Sequence, residues 1–297
     1  MISNHAAVRT HDSRALSGVV MLLSLLLPGP AMATEPAAIS PLENTPVTRA
    51  LAAELKAAQD TSHPMQYRLR KSSPRLTSSR QIVETRDGAV ARLLLTNDLA
   101  PSPSDRQKDD ARLDALLADP TRQARRKQSE QNDRARALKV LRALPKAFVY
   151  QDAGTVPNSS GTIERYTFTP NPKFNPSDLE LLVLTAMSGE LQIDSAHERV
   201  VRLEGHLQQD VDFGWGILGR LNKGGWLVIE QGDVGDGQWR IVRFKMEMSG
   251  RVFIKTRSFD TTEEQTEFAR VPVALTYQQA IEMLRAGQQG DSEPRGK

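Results

Sequence analysis

The sequence predicts a mainly β, α+β protein in which a curled antiparallel sheet forms a half-open β-barrel with covering helices and a helical-hairpin insertion. Three observations support this fold class. Alternating apolar and polar residues recur over 65–96 and again over 147–259. No helix of useful length lies between consecutive strands after residue 175, which excludes βαβ units and makes the sheet antiparallel. A sheet of about ten strands tends to curl, and a curled sheet with an apolar inner face can hold an acyl chain.

The N-terminus has the features of a secretory signal. Two arginines precede an apolar run over 15–27, and a Pro-Gly-Pro break and a small-x-small pattern follow it. Residues 1–33 are therefore predicted to be a signal peptide, with cleavage expected between Ala33 and Thr34. The alternative is a membrane anchor, but the 13-residue apolar core is short of the roughly 20 residues that span a bilayer.

Composition limits where the mature chain works and what it binds. There is no cysteine, so disulfides, thiol chemistry and a lipobox lipid anchor are excluded. We expect a periplasmic or secreted protein stabilised by core burial. Without the signal, 37 basic residues face 35 acidic ones. This near-neutral balance does not indicate a nucleic-acid binder.

The first elements follow a leader that is expected to be flexible, residues 34–46. An alanine-rich segment at 47–60 has apolar residues at helical spacing and predicts the first helix. Alternating segments then predict three strands, at 65–71, 80–86 and 89–96. Asp87-Gly88 between the last two predicts a two-residue hairpin turn, because such turns need positive φ.

Residues 101–146 predict the helical-hairpin insertion. Ser104 is the expected N-cap, with Gln107 as its capping-box partner, and Pro120 ends the first helix. In the second helix only the end is apolar, so its front half is expected to be solvated and its end to dock on the core. The front half holds four basic residues that we expect to contact a partner or lipid headgroups: Arg122, Arg125, Arg126 and Lys127. The alternative is a solvated helix face.

Strands are predicted again from residue 147 to 259, followed by a last helix at 276–286 that Thr276 caps. Ser249-Gly250 and Asp236-Gly237 are expected turns. The predicted strands are AFVYQ, 162–170, 181–194, 199–213, 225–231, 237–249 and 251–259. Residues 47–286 are thus predicted to form a single domain, and 287–297 a disordered tail.

One face of these strands is apolar. Val242, Phe244, Met246 and Met248 alternate with Trp239, Ile241, Arg243 and Lys245, and Val201, Leu203 and Leu207 alternate with polar residues. Methionine suits an adaptable apolar pocket, although such residues are as often plain core. The predicted lining of an apolar ligand cavity is Phe168, Met187, Leu203, Trp226, Phe244 and Met246.

No motif in the sequence assigns a reaction, so no catalytic residue and no cofactor is expected. GWGILG at 214–219 matches the dinucleotide fingerprint but lacks the helix and parallel strand that the fingerprint requires. The three histidines of the mature chain have no metal-ligand spacing, so no metal site is expected. Asp210 and Asp212 share a strand face, as acid–base or metal-binding carboxylates can, or they belong to a strand-end turn.

The order of elements resembles that of periplasmic lipoprotein-sorting carriers of the LolA/LolB type and of the related N-terminal domain of RseB-like regulators. The stretch 203–259, with EGHLQQDVDFGWGILGRLNKGGWLVIEQGDVGDGQWRIVRFKMEMSGRVFIKTRSF, also looks like exported bacterial proteins thought to share that fold. The resemblance covers roughly 47–286 and implies an unclosed barrel whose concave face takes a lipid or acyl group. The insertion at 101–146 is larger than the carriers need, and no residue matches their lid-latching arginine.

We therefore expect a non-enzymatic periplasmic binding protein for an acyl chain, a lipid or a lipoprotein. Transient contact with a membrane surface is compatible with this hypothesis, whereas binding of nucleic acid is not. The alternative is an envelope interaction or sensor protein that contacts a protein partner through its basic insertion. A hydrolase that uses Asp210 or Asp212 is the third hypothesis.

Overall fold

The computed structural model describes residues 44–158, 161–213, 219–252 and 255–292. Its strands form one twelve-stranded sheet in which every pairing is antiparallel. The strands are β1 (Met65–Ser73), β2 (Leu76–Val83), β3 (Val90–Thr96), β4 (Phe148–Asn158), β5 (Gly161–Pro170), β6 (Met187–Asp194), β7 (Arg199–Leu207), β8 (Val211–Phe213), β9 (Gly219–Leu221), β10 (Trp226–Asp233), β11 (Trp239–Val252) and β12 (Lys255–Arg270). The helices are α1 (Pro46–Gln59), α2 (Pro103–Ala118), α3 (Pro120–Ala147), α4 (Tyr277–Ser292) and a 3₁₀ helix (Leu179–Ala186).

The path of the chain explains why a helical hairpin interrupts the strands. The sheet order is β3-β2-β1-β12-β11-β10-β7-β6-β5-β4, and β8 and β9 pair beside β11. The first three strands therefore reach one edge, and α2 and α3 carry the chain to the opposite edge at β4. From there the strands return until β12 pairs with β1. The predicted class is confirmed: the sheet is mainly antiparallel, curled and not closed.

Local sequence signals set the ends of the helices. Thr45 and Thr48 form a reciprocal capping box at the start of α1. Ser102, not the predicted Ser104, caps α2, because Pro103 takes the first helical position, where its missing N–H costs nothing. Pro120 plays the same role in α3, so it starts a second helix as well as ending the first.

Four predicted strand features are wrong. The strand predicted at 199–213 is interrupted, because β7 ends at Leu207 and β8 starts at Val211. Residues 181–186 belong to the 3₁₀ helix, so β6 starts only at Met187. Ser249-Gly250 is not a turn, because both residues pair within β11. Asp87-Gly88 is not a two-residue hairpin, because pairing between β2 and β3 ends at Val83 and Val90 and leaves a six-residue connection.

Other terminal and turn predictions agree with the structure. Asp236 and Gly237 both have positive φ between β10 and β11, as the turn requires. Thr276 and Gln279 bond reciprocally at the start of α4. That helix continues to Ser292, beyond the predicted end at 286, so 287–292 is helical rather than a disordered tail.

Two bulges change which residues face the core. Register shifts at the β6–β7 and β10–β11 pairings leave Val201 and Val242 out of the regular pairing. Val200 is therefore the buried residue in place of Val201, and Ile241, predicted to face away, packs against the core. Phe244, Met246 and Met248 are buried as predicted.

The signal peptide at 1–33, most of the leader and most of the glycine-rich motif at 214–219 lie outside the described residues. Within the described part of the chain, no helix is both long and apolar enough to cross a membrane.

Candidate functional site: the interior face of the sheet

The interior face is the side of the sheet that α1 and α3 cover. Four of the six predicted lining residues lie there fully buried in the main core cluster: Phe168, Met187, Phe244 and Met246. Leu203 packs against that cluster while only partly buried. Trp226 does not join them. Its neighbours Leu227 and Ile229 take the interior positions, so by strand alternation Trp226 lies on the outer face with Glu230.

The apolar part of the interior face is closed by the chain itself. Val47, Ala50 and Leu51 of α1 pack in the same cluster as the sheet residues. So do the last turns of α3 and the middle of the 3₁₀ helix, with Val140, Ala143, Leu144, Val183 and Leu184. Phe168, Phe148 and Tyr150 also form a three-ring cluster. The predicted lining is thus an apolar core under three covering elements.

A pair of glycines forms a trough in this face. Gly189 and Gly205 are directly opposite each other on β6 and β7. A Cβ on Gly205 would lie 2.6 Å from the sulfur of Met187, and one on Gly189 would lie 2.9 Å from the ring of Phe168. The two predicted lining side chains therefore occupy space that only glycine leaves open.

Polar contacts hold the covering elements in place. Glu54 of α1 accepts two hydrogen bonds from Arg199, at 2.8 and 2.9 Å, and one from the Val200 backbone N–H at 3.0 Å. Lys139 of α3 donates to Asp178 at 2.5 Å and Glu180 at 2.9 Å, at the start of the 3₁₀ helix. Burial tends to lower the pKa of Lys139, but the two carboxylates outweigh it and raise this pKa above its ordinary value.

The interior face also contains a polar row that sequence reasoning missed. Thr261, Glu263 and Gln265 of β12 are buried, and they stand opposite Met246, Phe244 and Leu69 of the neighbouring strands. Lys71 of β1 pairs with Glu263 at 2.8 Å between Nζ and Oε1. The row, defined as Thr261, Glu263 and Gln265, separates the main apolar cluster from a smaller one around Tyr67 and Leu69.

The basic segment of α3 does not form one free surface. Arg126 donates to the Ala89 carbonyl at 3.0 Å, and Glu130 accepts the Ala89 N–H at 3.0 Å. Buried Gln123 donates to the carbonyls of the connection between β2 and β3. The predicted solvated front half of α3 is therefore wrong for this face, since its side chains supply hydrogen bonds to the backbone that leads into β3.

The remaining basic residues differ in exposure. Arg122 and Arg125 are exposed, whereas Lys127 is half-buried. Arg122 pairs with Asp119 at the start of its own helix. Of the four residues predicted to contact a partner, Arg125 is the most available, and its contact with a partner stays a prediction.

Helix α2 protects the same edge of the sheet. Asp109 accepts the Leu93 N–H at 3.0 Å, and Arg112 donates to the Ala91 carbonyl. Helix side chains therefore bond to the backbone of Ala89, just before β3, and of Ala91 and Leu93 within it. The insertion covers this strand edge with polar side chains. This role explains why residues 101–137 are mostly polar.

The outer face of the sheet carries charge of alternating sign. Ion pairs join Arg202 to Glu230, Glu230 to Arg243, and Arg243 to Glu264 across adjacent strands. Further pairs extend the series at both ends: Arg165–Glu190 on β5 and β6, Glu264–Arg70 on β12 and β1, and Arg70–Asp98 beyond β3. Because the signs balance, this face attracts neither a polyanion nor a polycation.

The candidate carboxylates and histidines have structural partners. Asp210 and Asp212 share a face as predicted, and Arg220 bridges them at 3.2 and 2.7 Å. The bonds from Arg220 lower the pKa of Asp212. His63 meets Asp60 and Ser62 through the same ring nitrogen, Nδ1, so it cannot relay a proton from the hydroxyl to the carboxylate.

Comparison with known proteins adds little to this picture. No protein-family model matches the chain, and no curated protein matches it significantly in sequence. A solved structure from Vibrio parahaemolyticus, described as a proposed outer membrane lipoprotein-sorting protein domain, aligns over 81% of this chain and 100% of its own. Its identity is 10% and its TM-score 0.30. A TM-score this low carries no argument about the present protein.

Proposed function

We propose that the protein binds an apolar ligand, an acyl chain, a lipid or a lipoprotein, on the interior face of its sheet. The observation that supports this most directly is the way in which the apolar face is covered. Three helical elements close it, and polar contacts join Lys139 of α3 to Asp178 at the start of the 3₁₀ helix and Glu54 of α1 to Arg199 of β7. Because the cover consists of helices and not of further paired strands, it can move aside without breaking the sheet, and a ligand of matching apolar surface can take its place.

The proposed site of action is the bacterial envelope, and the proposed role is that of a carrier or sensor without catalysis. The features of residues 1–33 that predict export support the location. The partner-binding alternative requires a free basic surface on α3. Only Arg122 and Arg125 are exposed among its four candidates, so we give preference to the interior face.

The test is retention of dansyl-labelled undecanoic acid by the purified mature chain. Phe244→Asp places a charge at the centre of the interior face and should abolish binding, while Arg125→Ala on the outer surface of α3 should leave it unchanged. Because Phe244 is almost fully buried, Leu203→Asp is measured as well, since partly buried Leu203 tolerates the change better. Circular dichroism identifies any variant that fails to fold. Equal retention by the folded interior variants and Arg125→Ala would refute the proposal.

A further inference from the structure

The polar row is unusual because two of its three members have no side-chain partner among the described residues. Thr261 is 5% exposed and Gln265 is 9% exposed. Within the described part of the chain, neither makes a side-chain hydrogen bond or ion pair. Their polar atoms are not among the fully buried ones that lack a partner, so they keep some access to solvent and can bond a water or a ligand at the interior face. Their strand positions place them about 6.8 Å on either side of Glu263, facing the same interior.

Glu263 between them carries a charge that is only partly enclosed. Its side chain is 5% exposed, whereas that of its partner Lys71 is 34% exposed. The ion pair therefore has a buried acidic end and an ammonium end that reaches solvent. Next to Glu263 on the other side stands Phe244, at the edge of the apolar part of the face. A carboxylate, a hydroxyl, an amide and an apolar side chain thus lie next to one another on this part of the interior face.

We infer that this row binds the headgroup of a zwitterionic aminophospholipid, a phosphate and a primary ammonium joined by a short link, whose acyl chain lies against Phe244 and Met246. The inference rests on the proposed function and names the class of ligand. Lys71 turns its ammonium to the phosphate, and Glu263 accepts from the ligand ammonium. Thr261 and Gln265 supply the further hydrogen bonds that the headgroup needs.

The balance of charge selects this headgroup over simpler ones. An anionic headgroup without an ammonium engages Lys71 and leaves Glu263 buried without a cation. A cationic one without a phosphate competes with Lys71 for Glu263 and offers the Lys71 ammonium no acceptor in return. A zwitterion replaces the existing ion pair by two and keeps a cation beside the buried carboxylate of Glu263.

The experiment compares two lysolipids of equal chain length, lysophosphatidylethanolamine and lysophosphatidylglycerol, titrated below their micelle concentrations into the mature chain by isothermal calorimetry. We expect the ethanolamine lipid to bind at least about tenfold more tightly, a difference typical of one charge-assisted hydrogen bond. Glu263→Gln should remove that preference. Glu264→Gln is the matched control, because the next residue lies on the outer face and pairs with Arg243.

Two further variants keep the test decisive if Glu263→Gln does not fold. Thr261→Val and Gln265→Leu remove no side-chain hydrogen bond to the residues that the structure describes, so thermal stability should be kept while affinity for the ethanolamine lipid falls several-fold. A wild-type chain without preference, or a preference that survives in every folded row variant, would overturn the inference. Failure of both lysolipids to bind would instead refute the proposed function itself.

Discussion

Two ion pairs fasten α1 to the turn between β6 and β7, and they offer a sharp test of what holds the cover closed. The side chains of Glu54 and Arg199 are 8% and 13% exposed, and Glu54 also accepts the Val200 N–H. The side chains of Arg49 and Glu198 are 40% and 51% exposed. The two pairs join the same elements but differ in burial.

Burial sets the expected size of each effect. Glu54→Ala leaves the Arg199 guanidinium and a backbone N–H without their acceptor, and breaking a buried pair in this way costs about 3–5 kcal/mol. Glu198→Ala removes only an exposed pair, worth at most about 1 kcal/mol. The difference between the two variants in free energy of unfolding should therefore be at least about 2 kcal/mol.

The assay is urea unfolding of the mature chain followed by circular dichroism, with hydrogen exchange of the α1 amides as a local measurement. Glu54→Ala should lower the unfolding midpoint and deprotect α1, while Glu198→Ala should follow the wild type closely. Losses that agree within about 0.5 kcal/mol, the range of an ordinary surface substitution, would refute the reasoning that burial of the pair holds α1 in place.

Three further results are expected. Gly189→Ala directs its methyl group to 1.8 Å from a backbone carbonyl oxygen and should lower the free energy of unfolding by more than about 3 kcal/mol. Gly205→Ala meets the flexible thioether of Met187 and should lower it by about 1–3 kcal/mol. Equal shifts of the two variants on thermal unfolding would contradict this. Burial raises the pKa of Glu130 from 4.5 to about 7, so the native state holds that proton more tightly, and the unfolding free energy should decrease as pH rises from about 4.5 through about 7. The Glu130→Gln chain should lack that component of the pH profile. Arg126→Ala removes the donor to the Ala89 carbonyl and should lower the free energy of unfolding by about 1–3 kcal/mol, whereas Arg125→Ala should lower it by less than about 0.5 kcal/mol, in parallel urea titrations.

The fold class was accessible to sequence reasoning because one-sided alternation survives in most of the strands. Phe244, Met246 and Met248 have a period of two in the sequence, and all three are buried on one face. The absence of helices between the later strands correctly excluded a parallel sheet. These signals depend only on local pattern, so they persist whatever the tertiary contacts are.

The errors arise where non-local pairing decides the structure. The bulges that displace Val201 and Val242 depend on the partner strands and have no signal in their own segments. Ser249-Gly250 has the composition of a turn, but pairing with β12 keeps it in the strand, and Gly250 is needed there because the Arg220 carbonyl would lie 2.3 Å from a Cβ. Propensity yields to tertiary contacts at such positions.

Only part of the candidate site could be predicted from the sequence, for the same reason. Its apolar members were found because they are apolar, with Trp226 assigned to the wrong face. The polar row was missed because β12 continues beyond residue 259 through a polar segment, and buried polar residues look like surface in a sequence. A strand of that composition becomes recognisable only when its partners β1 and β11 are known.

The central claim is that the interior face accepts an apolar ligand, and the most direct measurement is lipid mass spectrometry of the mature chain purified from a bacterial periplasm and extracted with organic solvent. The account predicts lipid in a roughly stoichiometric amount with the wild-type and Arg125→Ala chains, and its loss from a folded Leu203→Asp chain. Wild-type protein that carries no lipid and takes none up from added vesicles would contradict it.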